Sequence, residues 1–379
     1  MKTVAFLTGT RADYGKIKPL IAALGETGLF KIEILVTGMH LLPQYGSTVG
    51  QVIEDNLGEV HFLPNQVGEQ SMENALARTI EQLSNFVAEH RLDLIVVHGD
   101  RIEALAGSIV GALRNIPTAH IEGGEVSGTV DGLIRHSVSK LAHLHFVSNE
   151  SARERLHQLG ESPDMIFVIG SPDIDVMLSK TLPDISEVKR KYEIPFSEYS
   201  IVIFHPVTTE YEIIHSQIEA LIQSLQSDTA NYIVIKPNND HGSEIIQRKL
   251  ANLKGERFLH IPSMRFEYFL TLLKESNIII GNSSAGVREA PCYGVPTVNI
   301  GSRQKNRATG PQIVNVDPIS TEIARGIQLA MSLPKESTFD FGVGHAAKNF
   351  VKILTSEQTW PIETDKIFVD IKNNDARAN

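Results

Sequence analysis

The chain has 379 residues, enough for two domains, and its 42% hydrophobic and 21% charged residues are those of a globular protein rather than a disordered one. Asp and Glu number 45 against 35 Lys and Arg, a formal net charge of −10 with no long basic cluster, which argues against general nucleic-acid binding and against retention on an anionic membrane surface. Cys292 is the only cysteine, which excludes an intrachain disulfide and a cysteine-based zinc site.

The apolar run at residues 4–7 follows Met1-Lys2-Thr3 and is too short for the core of a signal peptide. No later stretch approaches the ~20 apolar residues of a membrane span, so the expectation is a soluble, cytoplasmic protein. Residues 4–7, 32–36, 94–97, 118–121, 145–147 and 165–169 read as strands in the first half, and 201–204, 232–235, 278–280 and 295–300 in the second. Between them, 75–89 and 102–114 carry apolar residues at helical spacing, 208–225 does so more loosely, and a helix is expected from about Lys16. Short apolar strands alternating with helices predict βαβ units and parallel sheets. The pattern restarts after Gly170-Ser171-Pro172, ahead of the charged segment 184–191. The expected fold class is α/β, two Rossmann-like domains with parallel sheets facing a central cleft, in which ligands bind at the carboxyl ends of strands.

The strand ends carry the polar residues. The first runs into Gly9-Thr10-Arg11-Ala12-Asp13-Tyr14-Gly15, where backbone N–H groups at a helix start suit phosphate and Arg11 adds an anion clamp. Neither a G-x-G-x-x-G fingerprint nor a G-K-[ST] loop is present, which disfavours a nicotinamide-dependent oxidoreductase. His98-Gly99-Asp100-Arg101 follows the strand at 94–97, and Asp100 reads either as a site carboxylate or as the N-cap of the next helix. The loop Glu122-Gly123-Gly124-Glu125-Val126-Ser127-Gly128-Thr129-Val130-Asp131 is dense in carboxylates, with Arg135-His136 one turn on, and is read as catalytic rather than as a solvated surface. His143 and His145 share a side of a strand but have no accompanying carboxylate triad, so no metal site is expected. In the second half, His205-Pro206-Val207-Thr208-Thr209-Glu210, Lys236-Pro237-Asn238-Asn239-Asp240 and Gly281-Asn282-Ser283-Ser284-Ala285-Gly286-Val287-Arg288-Glu289 each follow a strand. Ser283 and Ser284 at a helix N-terminus suit an anion, and Glu289, about one and a half turns in, suits sugar hydroxyls.

Taken together, G-T-R-A-D-Y-G, H-G-D-R-x-E-A-L-A, I-E-G-G-E-x-S-G-T-x-D, H-P-V-T-T-E and G-N-S-S-A-G-x-R-E-A-P resemble the hydrolysing UDP-N-acetylglucosamine 2-epimerases, most closely those of bacterial sialic-acid and capsule biosynthesis. The resemblance runs from residue 2 to about residue 360, and the I-E-G-G-E loop is its most specific part. Gly132 stands where relatives often carry a second acid after Asp131. The resemblance implies a GT-B-like fold with an N-terminal domain at 1–171, a UDP-binding domain at 172–358, and a C-terminal helix within 359–379 that crosses back. It implies a homodimer or tetramer, no cofactor and no metal, and conversion of UDP-N-acetylglucosamine and water to N-acetylmannosamine and UDP through a glycal. By the same resemblance, Asp100, Glu122 and Asp131 form the acid/base set, with Asp13 as a fourth member. Arg11, His205, Ser283 and Ser284 meet the diphosphate, and Arg101, Asn238, Glu289 and Arg303 contact nucleotide or sugar. Repulsion among the clustered carboxylates is expected to raise the pKa of at least one. The alternatives are the same chemistry on a UDP-linked diacetamido-trideoxyhexose, as in legionaminic-acid pathways, a GT-B glycosyltransferase, and a non-catalytic nucleotide-sugar sensor.

Overall fold

A computed structural model describes residues 1–42, 48–65, 71–237, 242–305, 307 and 309–370, and the chain forms two compact units. Unit 1 comprises Met1–Glu125, Asp131–Asp175 and Phe341–Asn379, and unit 2 comprises Val126–Val130 and Val176–Asp340.

Unit 1 begins β1 (Lys2–Thr8), α1 (Arg11–Glu26), β2 (Phe30–Val36), α2 (Val49–Asp55), β3 (Glu59–Phe62), α3 (Met72–Glu89) and β4 (Leu94–His98). It continues α4 (Ile102–Arg114), β5 (Thr118–Ile121), α5 (Thr129–Leu141), β6 (Leu144–Val147), α6 (Glu150–Gln158) and β7 (Ile166–Val168). The seven strands form one parallel sheet in the order β3-β2-β1-β4-β5-β6-β7. Val4, Phe6, Ile32, Ile34, Leu94 and Val96 point to one face, where Ile17, Leu20, Ile21 and Leu24 of α1 cover them. Strand order reverses between β1 and β4, and ligands of such sheets gather at that switch point, beyond the strands' carboxyl ends. α1 starts at Arg11, five residues before the expected Lys16, because Thr10 caps it by accepting from the Asp13 N–H at 3.1 Å. Arg11 and Asp13 are therefore set by a helical first turn and not by a loop.

α7 (Pro172–Met177) carries the chain out of unit 1. Unit 2 contains α8 (Ile185–Lys191), β8 (Ser200–Ile203), α9 (Ile214–Gln226), β9 (Tyr232–Ile235), α10 (Ser243–Leu250) and β10 (Phe258–Ile261). It ends α11 (Phe266–Lys274), β11 (Ile279–Gly281), α12 (Glu289–Cys292), β12 (Thr297–Ile300), β13 (Ile313–Val316) and α13 (Ser320–Ser332). Its parallel sheet has the order β10-β9-β8-β11-β12-β13. Period-two alternation sends Val202, Val234, Ile280 and Val298 towards α9 and α13, and Ile201, Ile203, Ile233 and Ile279 towards α8 and α11. Both faces are apolar because helices cover both, which is why these strands read as continuous apolar runs.

The returning helix is α14 (Ala346–Leu354), which packs on unit 1 with Phe350 4.8 Å from the Phe146 ring and 6.3 Å from Phe6. Asp175 caps it, accepting from the N–H groups of Ala346 at 2.9 Å and Ala347 at 2.7 Å. The bond from Asp175 keeps the chain with unit 1 up to that residue, so unit 2 resumes at Val176 and not at 172, and unit 1 resumes at Phe341 and not at 359. The C-terminal helix expected over 359–379 is absent from its described part, 359–370, which follows the 3-10 turn Glu357–Thr359.

Three strands escaped the sequence reading: β3, β10 and β13. All three are edge strands, half-exposed and interrupted by polar residues such as His61, His260 and Asn315, so they lack the apolar run of the central strands. The loose helix at 208–225 resolves into a 3-10 turn, Thr208–Ile213, followed by α9. Among the described residues, no helix is long and apolar enough to cross a membrane.

Candidate active site

Unit 1 gathers its ionisable side chains at the carboxyl ends of β1, β4 and β5. Asp13, in the first turn of α1, accepts from the Thr8 hydroxyl at 2.8 Å and the Gly9 N–H at 3.1 Å through one oxygen. Its other oxygen meets His98 Nδ1 at 2.8 Å, and His98 Nε2 lies 3.3 Å from a Glu122 oxygen. His98 ends β4, and β4 and β5 pair with His98 opposite Ile121, which brings Glu122 alongside it. All three side chains are largely buried. Burial alone would lower the pKa of His98, but the charges and hydrogen bonds of Glu122 and Asp13 outweigh it and raise the pKa to about 9. The ring is therefore an imidazolium at neutral pH, hydrogen-bonded to Asp13 through Nδ1 and within ion-pair distance of Glu122 through Nε2. Asp13 shows the same balance in reverse: burial pushes it up, and His98, Thr8 and Gly9 hold it below the usual carboxylate value. Crowding does not raise the pKa of Asp13, as the sequence argument expected of at least one carboxyl, because a cation sits between it and Glu122.

Asp100 does not cap α4. The capping position is Arg101, without a side-chain cap bond, and the Asp100 carboxylate instead pairs with Arg135 of α5. The same guanidinium donates to the Glu122 carbonyl and is 4% exposed, so one buried Arg ties the loop after β4 to the loop after β5. Asp131 lies four residues before Arg135 on the same helix, on the same face. Glu122 has φ +63°, a left-handed conformation uncommon for a residue with a Cβ, and such departures cluster at functional sites. Its N–H donates to the Phe146 carbonyl at 2.9 Å. His120, buried and with its pKa well below the ordinary value through burial, is neutral; its Nε2–H donates to the Gly99 carbonyl at 2.8 Å and fixes the turn between His98 and Asp100. Arg11 opens α1, and Arg101 contacts Glu103 at 3.4 Å.

In unit 2, the loops after β8 and β11 are joined by Asn282. Its carbonyl accepts from the His205 N–H at 2.7 Å and its amide donates to the His205 carbonyl at 2.8 Å, which extends the β8–β11 ladder by a side chain. The backbone carbonyl of Asn282, a different oxygen, accepts from Arg303 at 3.2 Å and from Gln304 at 3.0 Å. Gly281 has φ +135°, and a Cβ there would lie 1.9 Å from the Ile203 carbonyl oxygen, so only glycine permits this approach. Ser283 accepts from the Ala285 N–H at 3.3 Å, and Ser284 begins a three-residue 3-10 turn, not an α-helix. The backbone departs from regular helix at Val287 and Arg288, so the turn that starts at Ser284 and the helix that holds Glu289 are separate. Glu289 instead opens the four-residue α12 and is 2% exposed. The Glu210 carboxylate accepts from Gln217 at 2.6 Å and from the Ser302 hydroxyl. Asn238 lies outside the described residues.

Among the described residues, one group, Glu33, Glu59 and His61 on β2 and β3, could bring three ligand atoms within 4.8 Å of one another. Lys31 already bridges the two carboxylates, at 2.7 and 3.0 Å. His143 and His145 serve hydrogen bonds: His143 accepts from the Thr118 N–H at 3.1 Å, and His145 meets Glu161 at 3.0 Å.

A family model described as UDP-N-acetylglucosamine 2-epimerase matches residues 22–355. The chain belongs to the UDP-N-acetylglucosamine 2-epimerase family. It is 44% identical to a UDP-N-acetylglucosamine 2-epimerase of Neisseria meningitidis serogroup B over 98% of this chain and 100% of that one. It is 31% identical to the UDP-N,N'-diacetylbacillosamine 2-epimerase (hydrolyzing) of Legionella pneumophila over 88% of this chain and 90% of that one. Among solved structures, a UDP-GlcNAc 2-epimerase from Neisseria meningitidis bound to UDP-GlcNAc superposes with a TM-score of 0.78 at 19% identity, covering 93% of this chain and 99% of that one. The fold is GT-B-like, with two parallel-sheet α/β domains.

For an epimerase-family chain, the sequence reading found the carboxylates and missed what holds them. His98, His120, Ser171 and Asn282 were not singled out, and Arg135 was noted only as a nearby basic group. His98 carried a usable signal, since it precedes Asp100 at a strand's end and is flanked in the fold by two of the acids already named. Its partners lie 85 and 24 residues away, and only the sheet order puts them together.

Proposed function

We propose that the protein is a hydrolysing UDP-N-acetylglucosamine 2-epimerase that converts UDP-N-acetylglucosamine and water to N-acetylmannosamine and UDP, the entry step to sialic acid. The observation that carries this reading is the chain Asp13–His98–Glu122, tied through Arg135 to Asp100, at the carboxyl ends of β1, β4 and β5. The proton on carbon 2 is weakly acidic, so a carboxylate must take it while UDP leaves carbon 1. Elimination forms the carbon 1–carbon 2 double bond of a glycal. Water then adds, its oxygen to carbon 1 and a proton to the opposite face of carbon 2. The charge at the anomeric centre favours flanking carboxylates, the role given to Asp100, Glu122 and Asp131. His98, doubly protonated, is placed to hand a proton to Glu122 and to take one back. Arg11, His205, Arg303 and the Ser283–Ser284 turn are assigned to the departing diphosphate, and Glu289 to the ribose. The homodimer rests on the family resemblance alone.

A second reading keeps the chemistry and changes the sugar, on the strength of the Legionella relative's name. The test is proton NMR in deuterated water with UDP-N-acetylglucosamine and, separately, UDP-N,N'-diacetylbacillosamine, without metal or nicotinamide. Free N-acetylmannosamine with deuterium at carbon 2, together with UDP, supports the first reading. UDP-N-acetylmannosamine as the product overturns hydrolysis. Turnover of the diacetamido sugar alone moves the assignment to the second reading.

A further inference from the structure

Ser171 lies between β7 and α7, four residues before the chain leaves unit 1, and none of its surface is exposed. Its N–H donates to the Phe341 carbonyl at 2.7 Å, which fixes its backbone against the returning segment of the same unit. Its hydroxyl is hydrogen-bonded to a Glu122 carboxylate oxygen, 49 residues back along the chain. The second Glu122 oxygen faces His98 Nε2 at 3.3 Å, its N–H is held by Phe146 and its carbonyl by Arg135. The backbone of Glu122 is thus set by one group on each side, and its carboxylate has the Ser171 hydroxyl on one oxygen and the charged His98 ring beside the other. A carboxylate without a proton only accepts, so the Ser171 hydroxyl is the donor and stabilises the charged form.

We propose that Ser171 is a positioning residue for Glu122, holding the carboxylate in the orientation and charge state in which it acts on the sugar. The proposal rests on the reading in which Glu122 reaches the substrate. The charged groups around this carboxylate are His98 on β4, Asp13 on α1 through His98, and Arg135 on α5, which also holds Asp100 after β4. A hydrogen bond to a charged group contributes enough to make its loss about ten- to a hundredfold in rate.

The experiment compares Ser171→Ala, Ser171→Cys, Glu122→Gln and the double variant Ser171→Ala/Glu122→Gln on UDP-N-acetylglucosamine. Ser171→Ala is expected to lower kcat about ten- to a hundredfold, to change KM by less than about threefold, and to move the acidic limb of the kcat profile to higher pH. Ser171→Cys, which keeps the shape and a weak donor, falls between wild type and Ser171→Ala. In the Glu122→Gln background, Ser171→Ala has no further effect. An unchanged kcat in Ser171→Ala overturns the proposal, and so does a penalty equally large in the Glu122→Gln background, which marks a merely structural role. Full activity in Glu122→Gln is a different failure, that of the Glu122 assignment. The carboxyl ¹³C titration of Glu122 in labelled protein then decides for Ser171 without turnover: an unmoved midpoint in Ser171→Ala rejects the bond, and an upward shift retains it.

Discussion

Replacing His98 by Gln keeps a donor near Glu122 but removes the charge between two buried carboxylates. The size of that charge effect follows from the ring's proton affinity. A pKa raised from 6.5 to about 9 corresponds, at about 1.4 kcal/mol per pH unit, to about 3 kcal/mol of native-state stability. Because the folded value lies above the unfolded one, this contribution is fully present below pH 6.5 and is lost as the pH rises through about 9. It should be about 1.5 kcal/mol at pH 8 and close to zero at pH 10. The side chains of His98, Asp13 and Glu122 are 9%, 12% and 4% exposed, so solvent screens little of it. The assay is urea unfolding of wild type and His98→Gln at half-unit intervals from pH 6 to 10, with the transitions of the two units fitted separately. The gap between the two proteins should close with rising pH, most steeply around pH 7.5–9. A gap of constant size across that range would refute the reasoning, since it would mean that His98 carries no extra proton in the fold.

Two further outcomes follow from buried polar groups. Glu161, pushed up by burial but held at about 2 by hydrogen bonds and charge from His145 and Lys366, stabilises the fold by about 3 kcal/mol above pH 4.5 and loses this as the pH falls towards 2. Glu161→Gln should therefore be destabilised by that order at pH 7, with the deficit shrinking below pH 4.5 in acid-unfolding curves. Asn282→Ala removes the side-chain hydrogen bonds to the buried N–H and carbonyl of His205, a cost of about 2–4 kcal/mol. Calorimetric titration with UDP should show weaker binding, and thermal unfolding a lower transition for unit 2.

The central strands were legible because a strand covered on both faces tends to be apolar along its length, as in β9 and β11, in residues 4–7 of β1, 94–97 of β4 and 201–203 of β8. The edge strands β3, β10 and β13 were not, because exposure admits His61, His260 and Asn315. Carboxylates were legible by position. A polar group directly after an apolar strand lies at the sheet's carboxyl end, and this holds for Asp100, Glu122, His205 and Ser283. Helix starts were less so: Thr10 moved the start of α1 forward, and what read as one helix after Ser284 breaks at Val287 and Arg288.

Legibility fails where the chemistry depends on pairing at long range. Buried carboxylates cannot be crowded without compensating positive charge, so three acids at neighbouring strand ends already require cations close by. The sequence offers several, including Arg11, Arg101, Arg135, His98 and His136, and local spacing does not choose among them. The choice is made by strand order. With β4 between β1 and β5, the last side chain of β4 stands between Asp13 and Glu122, and that side chain is His98. Arg135 reaches Asp100 and Glu122 only because α5 packs on the same sheet end. A lysine in place of His98 could neutralise the acids but could not face both with two N–H groups fixed on one ring, the acids lying 85 and 24 residues from it in the chain. The bridging residue is thus placed by topology, which leaves the last side chain of β4 between the two acids.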